Sequence, residues 1–197
     1  MKINLKILET IKNNNNMITT EQLVALGFSK TLLTKYTNAK LLERVSHGVY
    51  MLPDSLEDDM YILMLHSGKI VFSHDSALFL NGLSDRTPFK HSITIPSNSS
   101  LSAAIKLQCN CFYIKPELHE LGLTSRKTTF GNEVRCYNTE RTICDLIRSR
   151  SRCDEEMVIS AIKNYASSSN KNLNLLASYS EMLKVQGILK HYMDVLL

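Results

Sequence analysis

The chain has 197 residues, of which 44% are hydrophobic and 21% are charged, a composition typical of a soluble protein with one medium domain or two small ones. Its formal net charge of +4 permits a nucleic-acid partner without requiring one. The longest apolar runs are too short to cross a bilayer, and the N-terminal segment lacks the apolar core and cleavage site of a secretory signal. Five cysteines without CxxC spacing favour a reduced, cytoplasmic protein. We therefore exclude membrane, secreted and collagen-like classes.

The positive charge is distributed unevenly along the chain. Residues 1–53 carry seven Lys or Arg and three Glu, so the net charge belongs to the first quarter. Residues 54–197 hold sixteen charges of each sign, but the segment 126–152 is again basic, with seven Lys or Arg against three acids. Two basic regions on a neutral body indicate a directed surface, although solvated faces alone could produce the same pattern.

Three short helices are predicted in the first 40 residues. Apolar residues repeat at helical spacing over residues 3–11, and the pattern stops at a run of four asparagines. The segment TTEQLVALG predicts a second helix, with Thr19 or Thr20 as its N-cap and Gly27 beyond its end. The segment KTLLTKYTNAK predicts a third helix shortly after this glycine.

The third helix is predicted to have a basic, polar face opposite an apolar one. At about 100° per residue, the apolar side holds Leu32, Leu33, Tyr36 and Ala39. The polar side lacks acids, as expected of a helix that approaches phosphates, because Asp or Glu would repel the duplex. Lysines suit phosphate contacts, and Asn38 can pair with an adenine edge. The predicted DNA contacts on or beside this helix are Lys30, Thr31, Thr34, Lys35, Asn38 and Lys40.

The segment LLERVSHGVYMLP predicts a β-hairpin that turns at residues 46–48 and ends at Pro53. Three helices followed by a hairpin are the element order of a winged helix-turn-helix. In that motif the third helix enters the major groove, and the wing contacts the backbone beside it. Arg44, Ser46 and His47 are the predicted wing contacts. The alternative is a small helical domain whose polar face only meets water.

Residues 54–59 are predicted to be an acidic linker, which places a DNA-binding domain at 1–53 and a second domain at 60–197. In this second domain we predict helices in MYILMLHSG and SHDSALFLNGL, separated by a strand at IVF. Strands follow in HSITIP and CNCFYI, and a pair flanks the Gly131–Asn132 turn signal. Helices are predicted in ERTICDLIRSR and DEEMVISAIKNYA, and one long helix in NLLASYSEMLKVQGILKHYMDVLL. The predicted fold class is α+β: a winged helix-turn-helix, then a mixed α/β domain with a helical C-terminal third.

The second domain shows no convincing catalytic or metal-binding constellation. It lacks GxGxxG, Walker and GxSxG motifs, and its histidines lack HExxH or HxH spacing. Cys109 and Cys111 have no second cysteine pair, which favours small buried hydrophobes over a zinc site. His74 and Asp75 could indicate acid–base chemistry, but neighbours at a helix cap point in different directions. We therefore predict no enzyme activity, no cofactor and no metal.

The basic segment around ERTICDLIRSR has two interpretations of equal weight. Cations at the end of a helix complement the helix dipole, which is a structural role. Alternatively, they belong to a second basic patch that faces DNA, RNA or an acidic partner. The members of this second basic patch would be Arg126, Lys127, Arg135, Arg141, Arg148, Arg150 and Arg152.

The ordered segments LLERVSHGVYML, SHDSALFLNGLSD, SITIPSN and NTERTICDLIR resemble the AbiEi family of abortive-infection antitoxins over nearly the whole chain. The resemblance implies the antitoxin of a bacterial type IV toxin–antitoxin system for phage defence, whose winged helix represses its own operon at promoter inverted repeats. It also implies a C-terminal domain that counters a nucleotidyltransferase-like toxin without a stable complex. Glu140, Arg141, Thr142 and Asp145 match the family signature, and the resemblance assigns them no chemical role.

The expected partners are therefore double-stranded promoter DNA and the cognate toxin, with no membrane. A monomer with one wing needs paired half-sites to be selective, so we expect a monomer in solution that binds DNA cooperatively. Two alternatives stay open. One is a ligand-sensing transcriptional regulator with the body as its effector domain, and the other is an enzyme acting on the toxin or its product.

Overall fold

The computed structural model describes residues 1–196 and divides the chain into two compact units, Met1–Gly68 and a second unit that begins at Lys69. Helices and strands occur in both units, which confirms the predicted α+β class. Among the described residues, no helix is both long enough and apolar enough to cross a membrane.

The first unit is built from short helices and a small antiparallel sheet with the strand order β1–β3–β2. The predicted helices and hairpin are present, and the hairpin turns at His47–Gly48. The elements are α1 (Leu5–Asn13), β1 (Met17–Thr19), α2 (Thr20–Ala25), α3 (Thr31–Asn38), β2 (Glu43–Ser46), β3 (Val49–Met51) and α4 (Asp59–His66).

Local hydrogen bonds determine where α2 begins and ends. The Gln22 N–H donates to Thr19 Oγ1 at 3.1 Å, and the Thr19 N–H donates to Gln22 Oε1 at 2.8 Å, which is a reciprocal capping box. Gly27 follows the helix with a φ of +85°, a left-handed conformation that favours glycine. The Phe28 N–H then closes the turn on the Leu23 carbonyl at 3.2 Å. This geometry produces the short connection to α3.

Strand β1 is an element that the sequence pattern does not indicate. It has three residues and pairs antiparallel with β3, with Met17 opposite Met51. Asn15 and Asn16, with φ values of +52° and +64°, reverse the chain between α1 and this strand. Since the partner strand is distant in sequence, local periodicity carries no signal for the pairing.

Helix α4 packs in the first unit. Its Ile62 is buried with Met17 and Met51 of the sheet, and Tyr61 and Leu65 lie against the same cluster. The linker predicted at 54–59 and the helix after it therefore belong to this unit, and the division falls after Gly68 instead. The physical reason is that α4 has an apolar face that the sheet covers.

The second unit contains a mixed five-stranded sheet with the order β6–β5–β4–β8–β7. The β4/β8 and β5/β6 pairs are parallel, and the others are antiparallel. The elements are β4 (Val71–Phe72), α5 (His74–Leu80), β5 (Ser92–Pro96), α6 (Ala103–Gln108), β6 (Asn110–Ile114), α7 (Pro116–His119), β7 (Leu123–Lys127), β8 (Glu133–Tyr137), α8 (Thr139–Arg148), a 3-10 turn (Arg150–Arg152), α9 (Glu155–Ser167), α10 (Leu173–Met182) and α11 (Gln186–Leu196).

Helix α8 lies at the centre of this unit. Its residues from Glu140 to Ile147 are all buried, and its apolar side chains join a core with α9, α10 and α11. The strands predicted from the sequence are present, whereas the short helices α6 and α7 are additional elements.

The prediction of one long C-terminal helix is wrong, because the structure has two helices there. Lys184 separates them with a φ of +58°, and the Val185 N–H donates to the Ser180 carbonyl at 2.8 Å, as in a Schellman motif. Leu183 and Val185 are both buried, so apolar contacts on either side stabilise the break. Leu197, the last residue of the predicted helix, lies outside the described residues.

Candidate functional site

Helix α3 separates an exposed polar face from a buried apolar one. Leu33 and Tyr36 are buried, and the Tyr36 hydroxyl accepts a hydrogen bond from the Asn4 N–H at 3.0 Å, which ties α3 to the start of α1. Ala39, predicted on the apolar side, is exposed because it lies at the C-cap. The residues predicted to contact DNA on or beside this helix are exposed: Lys30, Thr31, Thr34, Lys35, Asn38 and Lys40.

Both ends of α3 have defined local geometry. At the start, Ser29 Oγ lies 3.0 Å from Thr31 Oγ1, so these hydroxyls contact each other. At the end, Lys40 has a φ of +54°, and the Leu41 N–H donates to the Tyr36 carbonyl at 2.9 Å. The backbone of Lys40 therefore closes the helix while its side chain stays exposed. The helix and its flanks present lysines without an acidic residue between them.

The side chains predicted to form the wing contact differ in their exposure and in the contacts that they already make. Arg44 and His47 are exposed, and Arg44 Nε donates to the Ser46 carbonyl at 3.3 Å. Ser46 Oγ lies 2.7 Å from His66 Nε2, so its hydroxyl already contacts α4. Burial, reinforced by His47, lowers the pKa of His66. Arg44 and His47 remain the hairpin side chains best placed to reach a partner.

The predicted second basic patch does not form as one surface. Arg141 has 0% of its side chain exposed, so its assignment to an exposed patch is wrong. Arg126 lies opposite Val134 and Arg135 lies opposite Ser125 in the β7/β8 pair, which puts the two arginines on opposite faces of the sheet.

The remaining members of this set have individual surroundings. Arg135 forms an ion pair with Glu120 at 3.0 Å, and Arg126 Nε donates to Asn81 Oδ1 at 2.9 Å. Lys127 is exposed at the end of β7. Arg148, Arg150 and Arg152 stay exposed together at the end of α8 and in the 3-10 turn.

Arg141 instead joins α8 to α7 and to the turn after it. Its Nη1 donates to the carbonyls of Leu118 and Leu121 at 2.9 and 2.8 Å, and its Nε donates to Asp145 Oδ2 at 2.9 Å. Its guanidinium carbon also lies 4.2 Å from the centre of the Tyr137 ring. These contacts give the buried charge a structural role.

The neighbouring signature residues also hold elements together. Glu140 Oε1 accepts hydrogen bonds from the Tyr165 hydroxyl at 3.2 Å and from the Asn172 N–H at 3.1 Å, which joins α8 to α9 and to the start of α10. Thr142 Oγ1 donates to the Asn138 carbonyl at 2.8 Å within α8. The ERTICDLI segment is thus a buried framework rather than an exposed site.

A polar cluster forms around His74, at the junction of β4 and α5. His74 is 3% exposed and has a φ of +49°, which is unusual for a residue other than glycine. Its Nδ1 lies 2.9 Å from Ser73 Oγ and its Nε2 lies 3.1 Å from Ser149 Oγ. Its ring stacks on Phe112 at 3.5 Å between centres. His74 therefore contacts hydroxyls at both ring nitrogens and does not pair with Asp75.

The charge state of this cluster follows from burial. Desolvation, with Arg152, Arg141 and Arg148 nearby, lowers the pKa of His74 to about 3, so the imidazole is neutral at pH 7. Sequence reasoning missed this cluster, because Ser149 is distant along the chain and only the fold brings it to His74. The only local signal was a polar Ser–His pair directly after a buried strand.

A comparison with protein families finds a match within the first unit. Residues 6–53, which include α3 and the hairpin, match a family model described as "Transcriptional regulator, AbiEi antitoxin". The AbiEi resemblance is thereby confirmed for residues 6–53, which are similar to a family described as transcriptional regulators and antitoxins.

A solved structure is similar to the chain beyond the AbiEi segment. The crystal structure of the RV2827C protein from Mycobacterium tuberculosis superposes with a TM-score of 0.62 at 13% identity, covering 96% of this chain and 79% of that chain. At this identity the likeness concerns the fold alone. A search of curated proteins by sequence finds no match.

Proposed function

We propose that the chain is the antitoxin of a bacterial type IV toxin–antitoxin system and that it represses its own operon. The first unit is a winged helix-turn-helix in which α2 and α3 form the helix pair and β2–β3 form the wing. The match of residues 6–53 to AbiEi regulators carries this proposal. The exposed, acid-free face of α3 supports it, because such a face suits the phosphates that flank a major groove.

The proposed DNA interface assigns separate tasks to the exposed side chains. Thr34 and Asn38 lie one turn apart on α3 and would read base edges, since Asn pairs with adenine and Thr contacts the thymine methyl. Phosphates would be neutralised by Lys30, Lys35 and Lys40, which would fix the position of the protein along the duplex. The wing contact would come from Arg44 and His47, together with the backbone of Ser46.

The antitoxin activity is assigned to the second unit. It counters a nucleotidyltransferase-like toxin without a stable complex, as the resemblance implies for the whole family. Glu140, Arg141, Thr142 and Asp145 would serve this activity only by maintaining the fold, because their side chains are buried.

The repressor half is tested by titrating the full-length protein against the DNA upstream of its gene and against scrambled DNA. We expect selective, cooperative binding whose log K falls by roughly 0.9 per neutralised phosphate as log salt rises. Lys35→Glu should abolish this binding. Lys12→Glu is the matched control, because Lys12 is equally exposed at the end of α1 but lies outside the proposed interface.

Two results would count against the repressor assignment. One is equal binding of promoter and scrambled DNA, and the other is an equal loss of affinity for Lys35→Glu and Lys12→Glu. The antitoxin half is tested separately, by co-expressing the chain with the toxin encoded beside it. Growth rescue by both wild type and Lys35→Glu would support the assignment to the second unit. Failure of wild type to rescue growth would contradict it.

One observation favours the second candidate function, a ligand-sensing regulator. The second unit has a cavity of about 760 Å³ beside His74, within the size range of small-molecule sites. A ligand that changes the affinity of the protein for its promoter would favour this alternative over a repressor without an effector.

A further inference from the structure

Two neighbouring cavities in the second unit share one wall. His74, Phe112 and Arg152 line both the cavity of about 760 Å³ and a smaller one of about 190 Å³. The His74 ring stacks on Phe112, and the guanidinium carbon of Arg152 lies 4.3 Å from the centre of the same ring. The three side chains therefore lie between the two cavities.

The smaller cavity is rich in hydrogen-bond donors and positive charge. Arg148 and Arg152 line it, together with four residues that carry hydroxyl groups: Thr94, Tyr113, Ser149 and Ser151. The Thr94 hydroxyl already donates to Ser73 Oγ at 2.8 Å. Asp145 is the acid in this lining, and its carboxylate is held by the buried Arg141 at 2.9 Å. Within the part of the chain that the structure describes, neither Arg148 nor Arg152 forms a salt bridge. Burial raises the pKa of Asp145 and the charge of Arg148 counteracts this rise, so these two groups do interact.

Two donors of this cavity, Arg152 and Ser149, are held in place by contacts within the protein. Arg152 Nη2 donates to the Cys111 carbonyl at 3.2 Å, which with the Phe112 contact fixes the side chain. Ser149 Oγ is positioned by His74 Nε2 at 3.1 Å. Preorganised arginines and hydroxyls are the donors that proteins use for phosphate groups.

The backbone conformation of His74 and the arginines around its ring also favour a binding site here. His74 adopts a left-handed conformation that a residue other than glycine adopts at a cost, and such conformations concentrate at functional sites. Burial lowers the pKa of His74, and the charges of Arg152, Arg141 and Arg148 lower it further, which places three cations near the ring.

We propose that the smaller cavity binds the phosphate group of a small phosphomonoester whose organic body occupies the larger cavity. A volume of about 190 Å³ accommodates one phosphate group together with ordered water. Asn110 and Asn164 line the larger cavity beside the apolar Leu78 and Met157, a mixture that suits a polar organic body. Charged residues of both signs also line it: Asp75, Asp85, Arg86, Lys90, Asp154 and Glu156.

A monoester fits better than a nucleic-acid backbone. A phosphomonoester dianion carries two charges for the two arginines that line the smaller cavity, whereas a phosphodiester carries one. The site belongs wholly to the second unit, so this proposal is independent of promoter binding by the first.

The test is calorimetric titration of the full-length protein with inorganic phosphate and with ribose 5-phosphate, at ionic strength held constant with sodium chloride. We expect both to bind, with ribose 5-phosphate at least about tenfold tighter because its body reaches the larger cavity. Arg148→Gln should weaken both at least about tenfold. Arg150→Gln is the matched control, since Arg150 is exposed in the same segment but lines neither cavity, and it should change affinity less than about twofold.

Several outcomes would overturn the proposal. They are the absence of phosphate binding, equal losses for Arg148→Gln and Arg150→Gln, and equal affinities for the two ligands, which would remove the larger cavity from the site. Displacement of ribose 5-phosphate by a short single-stranded DNA without terminal phosphates would assign the cavity to a phosphodiester backbone instead.

A spectroscopic measurement on the wild-type protein tests the proposal without relying on the folding of an arginine variant. Phosphate should shift the imidazole resonances of His74 in the wild-type protein, identified by their loss in His74→Asn. It should leave those of the exposed His191 unchanged. Equal shifts at both histidines would indicate general ion binding and contradict the assignment.

Discussion

Arg141 Nε lies 2.9 Å from Asp145 Oδ2, one turn further along α8, and the two side chains are 0% and 4% exposed. A buried ion pair gains little over an apolar pair of the same shape, but removal of one partner leaves an unpaired charge in the interior. The guanidinium also donates to the Leu118 carbonyl in α7 and to the Leu121 carbonyl in the turn after this helix. The ion pair therefore helps to fix the position of that turn.

Removal of either charge should destabilise the second unit strongly. We expect Arg141→Met and Asp145→Leu each to lower the free energy of unfolding by about 3–5 kcal/mol in urea titrations followed by circular dichroism. The double variant should recover part of this loss, because no unpaired charge remains. Arg148→Gln, at an exposed site on the same helix, should change stability by less than about 0.5 kcal/mol. Additive losses in the double variant would contradict the ion-pair account.

The close approach of Arg141 also requires a glycine at position 122. Its φ is +73°, and a Cβ added there would lie 2.6 Å from the Arg141 Cβ. We expect Gly122→Ala to lower the free energy of unfolding by at least about 3 kcal/mol, since a backbone penalty and a steric clash combine. Gly131→Ala is the matched control, because Gly131 has a φ of +85° in open space and pays the backbone penalty alone, about 1–2 kcal/mol. Equal losses would show that the clash is relieved by movement of α8.

The position of α4 predicts where the chain can be cut. Since Ile62 is buried with Met17 and Met51, a fragment of residues 54–197 would keep α4 without its covering sheet. We expect this fragment to bind a hydrophobic dye and to elute as aggregates in size-exclusion chromatography. A fragment of residues 69–197 should elute as a compact monomer and melt cooperatively. Identical behaviour of the two fragments would contradict the assignment of α4 to the first unit.

Much of the fold follows from local sequence patterns. The capping residue Thr19, the turn glycine Gly27 and the apolar spacing of α3 are local signals, and each element they predict is present. The exposed face of α3 follows for the same reason, because helical periodicity alone separates Lys35 from Tyr36. These signals depend on neighbours within a few residues of one another.

The remaining features depend on contacts that are distant in sequence. Arg141 carries a charge that favours exposure, and its burial follows from carbonyls of α7 and of the turn after it, which local patterns cannot place. The His74 cluster depends on Ser149 and Phe112, from two other elements. The break at Lys184 depends on the burial of flanking apolar residues, which the pattern of one continuous helix also satisfies.

The neutral state of His74 should make the second unit sensitive to acid. Its pKa is about 3 in the folded chain against an ordinary value near 6.5, so the unfolded chain binds the additional proton as the pH falls below about 6.5. Stability is therefore fully present above about pH 6.5 and declines toward pH 3. Between pH 7 and pH 5 this group alone should remove about 2 kcal/mol from the free energy of unfolding.

His74→Asn isolates this contribution, because Asn tolerates the left-handed backbone and does not titrate in this range. Burial also lowers the pKa values of His66 and His119, so the wild-type chain has a steeper pH dependence than His74 alone produces. We expect urea titrations at pH 7 and pH 5 to show a decrease that is about 2 kcal/mol smaller in His74→Asn than in wild type. His191→Gln, at an exposed site, should keep the wild-type decrease. If His74→Asn loses as much stability as wild type over this range, the imidazole is not held neutral by burial and by its arginine neighbours.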